Sequence, residues 1–391
     1  MATPPSPTGT PPPEPPLSGE ASRTSSRLTG GETGRGRRPG EAAPDPAETR
    51  RLVEAMPKAE LHLHLDGSLR AETALGLAKS RDVDAPRTRA GMRAALVAPA
   101  HGASQAELLR AFDLPIALLQ DADSLARVTR ELVEDKAADH VRYLEIRWGP
   151  LLHVGRGLPV AEGIAAVCDS ASEAAARTGT TVRLICTALR SHDPAVNVRL
   201  AETAASFRDR GLTGFDLAGP EARFPDPLAH RAAFAAAHDG GLRITVHAGE
   251  WGGAAQVARA LALDPERIAH GSPAVDDPGL CRELIRRGVA LDLCPTSNVQ
   301  AGLVSDRRDH PLATLARRGV TVTLSTDDLT VSDITLAEEY AAAVAEIGLT
   351  MRELWAIDRR ALDVAFADEA TLAGLRAEFE AWGATIPELA G

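Results

Sequence analysis

His62 and His64 stand two residues apart in the run Ala59–Leu65. On a strand, that spacing aims both imidazoles at one face, while Leu61, Leu63 and Leu65 face the opposite way, toward a covering layer. Two imidazoles pointing inward at the end of a strand can share a metal at about 2.0–2.1 Å. His247 ends a second apolar run, Leu242–His247, and offers a third nitrogen; Asp327, just past the run Val320–Ser325, offers an oxygen. Three imidazoles and one carboxylate leave room for water, as a catalytic zinc needs, whereas a structural zinc is closed by four protein ligands, often cysteines. Glu250 lies three residues beyond His247. A partly buried glutamate there has a raised pKa and can carry a proton at neutral pH. His270, after the run Arg267–Ala269, is a spare imidazole that could orient the nucleophile or steady a developing negative oxygen, and Asp328 is left free for substrate. The set fits a single-metal hydrolase. Each member also has a plainer reading. A lone histidine is usually a hydrogen-bonded core residue, Asp327-Asp328 could form an Asx turn, and Glu250 could be a first-turn acid before a helix over Gln256–Leu263.

What positions these groups is a series of eight apolar, partly β-branched runs: Ala59–Leu65, Val141–Trp148, Val182–Thr187, Gly214–Leu217, Leu242–His247, Arg267–Ala269, Val289–Leu293 and Val320–Ser325. Alanine-rich, charge-striped stretches separate them. Pro159–Arg177, Pro194–Arg210, Pro227–His238 and Pro278–Arg287 start at or near a proline and carry apolar residues at helical spacing. Strands alternating with helices predict a parallel sheet covered on both faces, and eight such units predict a closed (β/α)8 TIM barrel of the α/β class. An open doubly wound sheet is the competing topology. It would gather ligands at one switch point, whereas the marked residues fall at the ends of the first, fifth, sixth, seventh and eighth runs, as in barrel enzymes. Arg70–Asp139 is too long for a tight strand–helix–strand unit. Its helical stretches Ala106–Leu119 and Ser124–Ala138 predict a lid inserted over the barrel mouth, ordinary packing helices being the alternative. Ser332–Ile347, Met351–Phe366 and Thr371–Trp382 read as closing helices.

Composition narrows the class further. Residues 1–48 are rich in proline, serine, glycine and arginine and hold almost nothing apolar, so they read as a disordered tail without a secretory signal core, and 49–391 as one catalytic domain. No stretch of 18 apolar residues predicts a membrane span. A formal net charge of −11 argues against broad nucleic-acid binding. Four cysteines without a C-x-x-C pair fit a reducing cytoplasm. Neither a Gly-x-Gly-x-x-Gly turn nor a Walker loop is present, which counts against dinucleotide and nucleoside-triphosphate chemistry. Oligomeric state is not legible.

Six segments together resemble the adenosine deaminase family of the metal-dependent amidohydrolase superfamily: residues 57–68 (PKAELHLHLDGS), Gly214–Gly219, His247–Glu250, Arg267–Gly271, Cys294–Asn298 and Ser325–Asp328. The likeness spans roughly Pro57 to Ile357. It implies that His62, His64, His247 and Asp327 bind one zinc ion, with His64 also adjoining substrate. Glu250 would protonate a purine ring nitrogen and His270 would position the attacking hydroxide. Asp328 would accept a hydrogen bond from another ring nitrogen, the Gly219 backbone would contact the purine, and Asp66 would face the sugar 5′ region. The implied reaction converts a 6-aminopurine and water to a 6-oxopurine and ammonia, adenosine to inosine by default. The fourth run ends Asp216-Leu217-Ala218-Gly219, without the lysine that two-metal relatives often need, so one metal is expected. The family usually has glycine at Ala269, asparagine at Ser325 and proline at Leu329. Trp148-Gly149-Pro150 and Glu250-Trp251-Gly252-Gly253 also depart from its pattern. These differences bear on the substrate more than the reaction: adenine, aminodeoxyfutalosine and N6-substituted adenines are the alternatives. Trp251 would either line the pocket or lie on the surface as an indole.

Overall fold

The computed structural model describes residues 45–81 and 83–389. The proposed tail falls outside them up to residue 44, and a helix capped by the Asp45 carboxylate already begins at Pro46.

Eight parallel strands follow one another around a barrel in chain order. They are β1 (Lys58–His64), β2 (Val141–Trp148), β3 (Thr181–Leu189), β4 (Leu212–Ala218), β5 (Arg243–Ala248), β6 (Arg267–His270), β7 (Ala290–Leu293) and β8 (Val322–Leu324). All eight expected runs are strands, shifted by at most a few residues at their ends. The seam between β8 and β1 closes through Leu63 and Asp327, with the His64 N–H donating to the Asp327 carbonyl (2.7 Å) and the Asp327 N–H to the His62 carbonyl (3.1 Å). Closure, rather than an open sheet, brings the first and last site motifs side by side.

Leu61, Leu63 and Leu65 are fully buried in the layer between strands and helices. The core is aliphatic, with Tyr143, Trp148, Phe215 and Phe379 among its few large aromatics. Several expected helices are shorter than their periodicity implied. Ala106–Leu119 is two helices, Gln105–Arg110 and Asp113–Leu118. Pro115 has no N–H to donate and fits only in the first turn of the second. The stretch read as Pro194–Arg210 stops at Ala205 and ends in a short 3-10 turn before Gly211, whose φ is 90°. Ser332–Ile347 becomes helical only at Leu336, where Thr335 and Glu338 form a capping box. A helix over Pro295–Gln300, absent from the sequence reading, is too short to show periodicity.

Between β1 and β2 the chain forms five helices from Ala71 to Ala138. Part of this connection packs in a small apolar cluster separate from the main core. Ala98, Ala103, Leu108 and Phe112 meet Ala301, Leu303, Val331 and Trp251, which lie near the carboxyl ends of the strands.

Candidate metal centre and active site

The end of β1 aims His62 and His64 inward, and β5 brings His247 beside them. The His64 Nε2 lies 3.3 Å from the His62 Nε2 and 3.2 Å from the His247 Nε2. Asp327 Oδ1 is 3.0 Å from the His62 Nε2 and 3.3 Å from the His64 Nε2. A tetrahedral ion with ligands at about 2.0–2.1 Å needs ligand–ligand edges of about 3.3 Å. These four contacts match such edges, and the His62, His247 and Asp327 donor atoms all lie within 4.8 Å of one another. Three ring nitrogens this close cannot all carry hydrogens. The Asp216 carboxylate on β4 settles the His247 tautomer: it lies 2.9 Å from Nδ1 and accepts that N–H, leaving Nε2 with a bare lone pair.

Electrostatics keep the imidazoles in the form a metal requires. Burial, then the nearby Arg147 guanidinium, holds His62 well below its ordinary pKa, and burial brings His64 to about 4. Arg147 is wholly buried beneath the site, donating to the Leu61 carbonyl (2.8 Å) and lying 3.4 Å from Asp216. Burial alone would raise the Asp327 pKa, but the imidazoles of His62 and His270 outweigh it and hold the carboxylate ionised. Ser297 Oγ donates to the other Asp327 oxygen (2.7 Å).

The remaining candidates surround this cluster. His270 belongs to the same group of closely spaced donor atoms as His62, His247 and Asp327. Its Nε2 stands farther off, 3.8 Å from Asp327 Oδ2 and 3.9 Å from Glu250 Oε2, so it borders the cage rather than forming one of its short edges. Both His270 (φ 63°) and Asp327 (φ 68°) adopt left-handed backbone, which is uncommon for residues other than glycine and clusters at functional sites. These turns re-aim side chains that strict strand alternation would send elsewhere. Burial first, and the Asp327 charge second, raise the Glu250 pKa to about 8. Its loop is fixed by Glu221, whose carboxylate accepts the N–H groups of Gly249 (2.9 Å), Trp251 (2.8 Å) and Gly252 (2.8 Å). Glu250 does not cap the following helix, which starts at Gly253 and has Gly252 at its N-cap.

Asp328 is buried, and its pKa is raised well above the carboxylate range by burial and by Asp327. It fills space that only a glycine leaves: a Cβ on Gly67 would stand 1.5 Å from Asp328 Oδ1. Asp66 is held below its ordinary pKa; burial opposes this, but His153 and His64 prevail, with His153 Nε2 3.8 Å away. Gly219 directly follows β4 at φ 103° and is partly exposed. Trp251 is half-buried rather than a free surface indole. It packs in the small cluster, where its N–H donates to the Gln105 amide oxygen (3.0 Å, with that amide turned oxygen-inward). Phe112 from the β1–β2 connection reaches within 6.5 Å of the His64 ring, centroid to centroid.

A model of the adenosine deaminase family matches residues 57–382. The chain belongs to the adenosine deaminase family. It is 38% identical over 333 residues to adenosine deaminase of Mycobacterium ulcerans, covering 80% of this chain and 91% of that one. To a probable adenosine deaminase of Dictyostelium discoideum it is 35% identical over 318 residues, covering 81% of this chain but spanning only 40% of that longer protein. Among solved structures, adenine deaminase of Arthrobacter aurescens superposes with a TM-score of 0.78 at 26% identity, over 84% of this chain and 99% of that one. A zinc-bound amidohydrolase of Burkholderia ambifaria gives 0.79 at 27%, over 89% and 96%. The N6-methyl-AMP deaminase of Arabidopsis thaliana gives 0.75 at 29%, over 85% and 98%.

Membership in the adenosine deaminase family makes this chain a hydrolytic deaminase of an amidohydrolase-type barrel. Asp216, Glu221, Arg147, Ser297 and Asn298 support the site without being among the residues expected to act in it. Asp216, Ser297 and Asn298 lie inside the family-like segments Gly214–Gly219 and Cys294–Asn298. Glu221, buried in the turn after β4, carried no local signal. Among the described residues no helix is long and apolar enough to cross a membrane.

Proposed function

We propose that the chain binds one zinc ion through His62, His64, His247 and Asp327 and deaminates a 6-aminopurine nucleoside, adenosine by default. The observation that carries this reading is a cluster of three imidazoles and a carboxylate, joined by four contacts of 3.0–3.3 Å, facing a carboxyl group whose pKa is raised to about 8. Zinc, when bound there, makes a nucleophile available near neutral pH by lowering the pKa of water. The chain's own groups do the rest. Glu250 gives its proton to a ring nitrogen, which makes the amino-bearing carbon electrophilic. His270 orients the nucleophile through Nε2. Asp328 faces a second ring nitrogen, which in a neutral purine offers only a lone pair; burial and the Asp327 charge raise the Asp328 pKa and so favour the protonated, donating form over the acceptor role implied by the family resemblance. The Gly219 backbone approaches the purine without a side chain in the way. The helical connection between β1 and β2 acts as a lid that excludes water.

Two observations favour a nucleoside over the alternatives. Identity to curated adenosine deaminases is 32–38%, against 26–29% to the solved adenine and N6-methyl-AMP deaminases. Asp66 at the sugar end is ionised, which opposes a 5′-phosphate. Localisation to the cytoplasm is part of the same proposal, consistent with four buried, unpaired cysteines. The test is conversion of adenosine, adenine, N6-methyl-AMP and aminodeoxyfutalosine to the matching 6-oxopurine, followed by chromatography, the amine leaving as ammonia or, from N6-methyl-AMP, as methylamine. The zinc-loaded protein is expected to favour adenosine, and a preference for any other member would replace the substrate assignment.

A further inference from the structure

His270 is backed by a hydrogen-bonded chain that ends on a backbone group. Its Nδ1 lies 3.1 Å from Asn298 Nδ2. Asn298 Oδ1 lies 3.0 Å from His310 Nε2. His310 Nδ1 lies 3.2 Å from the Leu312 backbone nitrogen. All three side chains are fully or almost fully buried, so water does not complete the set. The direction of every bond follows from its far end. A backbone N–H can only donate, so His310 Nδ1 accepts and the neutral ring carries its hydrogen on Nε2. That hydrogen needs an acceptor, which fixes the Asn298 oxygen toward His310 and its NH2 toward His270. The Asn298 NH2 is donor-only, so His270 Nδ1 must be the acceptor.

We infer that Asn298 and His310 are positioning residues that lock His270 in the tautomer with its hydrogen on Nε2, making it a hydrogen-bond donor toward the reacting centre rather than a base at that nitrogen. The inference rests on the proposed deaminase reading for its consequence: a donor at Nε2 holds the nucleophile through one of its lone pairs. A ring with a bare Nε2 would instead take a proton from it. The geometry of the lock itself does not depend on which aminopurine is turned over.

The experiment is nitrogen NMR of the zinc-loaded full chain labelled with 15N-histidine, with His270 signals assigned by their loss in His270→Ala. The lock requires a pyridine-type Nδ1 and a protonated Nε2 on His270 in the unmodified protein. Asn298→Asp is nearly isosteric but presents a carboxylate that accepts from Nδ1. It is expected to switch His270 to the Nδ1–H form and lower kcat on the order of 100-fold, with KM changed by less than about threefold. His310→Gln keeps a donor facing Asn298 and should retain the tautomer and most of kcat, whereas His310→Phe should lose both. A protonated Nδ1 in the unmodified protein, or an Asn298→Asp chain with unchanged tautomer and kcat, overturns the inference. If Asn298→Asp does not fold, the unmodified protein's spectrum decides alone. A locked tautomer without any deamination would sink the proposed function and spare the lock; a protonated Nδ1 in an active enzyme would do the reverse.

Discussion

Two clusters of buried charge share the interior of this barrel, one at each end of the strands. At the amino end, Arg267 on β6 donates to Glu145, to Asp292 (3.0 Å) and to the Val364 carbonyl (2.8 Å), with its guanidinium 3.7 Å over the Phe366 ring. Glu145 also accepts from the Tyr143 hydroxyl (2.8 Å), and Asp292 from Thr323 (2.9 Å). At the carboxyl end, three ring nitrogens and a carboxylate oxygen converge at 3.0–3.3 Å. Buried atoms of His62, Asp66 and Asp328 there have no hydrogen-bond partner. The lower cluster is wholly buried and the upper one nearly so, with His64 partly exposed. The charges of the lower cluster have protein partners, Asp292 also lying 3.6 Å from Arg147, whereas the upper cluster keeps buried polar atoms without one. In a barrel, that asymmetry separates the end that sustains the fold from the end that acts on substrate.

The sharpest way to break the comparison is at His247. His247→Ala should abolish zinc binding and with it all measurable deamination, while the fold persists; a metal analysis of the purified variant returning one zinc per chain would remove His247 from the ligand set. Glu250→Gln comes next. It should keep zinc and lose about 10²–10⁴-fold in kcat, as expected for removing a general acid; near-normal turnover would assign the proton to another group.

The lower cluster predicts the opposite pattern. Arg267→Met strands Glu145 without its cation and leaves Asp292 only Arg147, 3.6 Å away, and should destabilise the fold by about 3–5 kcal/mol in urea unfolding. The folded, zinc-loaded fraction should still turn over within a factor of about three of the unmodified rate, since stability at this end and activity at the other are separable. A specific activity lost in proportion to stability would mean that the two ends are coupled.

Asp216 tests the border between them, because it touches both His247 and Arg147. Asp216→Asn should weaken zinc affinity about 10–100-fold, the usual effect of removing a carboxylate that orients a ligand histidine. Competition with a chromophoric chelator measures this, and unchanged affinity would place Asp216 with the structural network alone.

What the sequence made legible follows the same division. The strands, the His62–His64 pair and the terminal His247 were visible because period-two alternation and strand ends are local patterns. Asp216, Glu221 and Asn298 act on His247, the Glu250 loop and His270, partners some thirty residues away across neighbouring loops, and no local pattern encodes that adjacency. The left-handed backbone at His270 and Asp327 was equally hidden, since nothing about those residue types requires it. The lower cluster escaped notice because Arg267, Glu145 and Asp292 sit on three separate strands, β6, β2 and β7. A charge inside an apolar run has no meaning until its partner is known.

The smallest expected effect concerns pH, and it sharpens the contrast through one proton. The Glu250 pKa is raised to about 8, first by burial and then by the Asp327 charge. The acid is therefore present below that value and lost above it, so kcat/KM should fall about tenfold per unit as pH climbs past 8. The sign is the same for stability: a carboxyl whose folded pKa exceeds its unfolded one favours the fold at low pH, and that contribution disappears as pH rises through about 8. His64, brought to about 4 by burial, stays neutral throughout this range, and its protonation would weaken metal binding only on the acid side. Glu250→Gln separates the causes. Its residual activity has no proton to lose at this position and should be flat between pH 7 and 9. An alkaline limb that survives in that variant would trace to another group, and the upper cluster would then owe its acid to something other than Glu250.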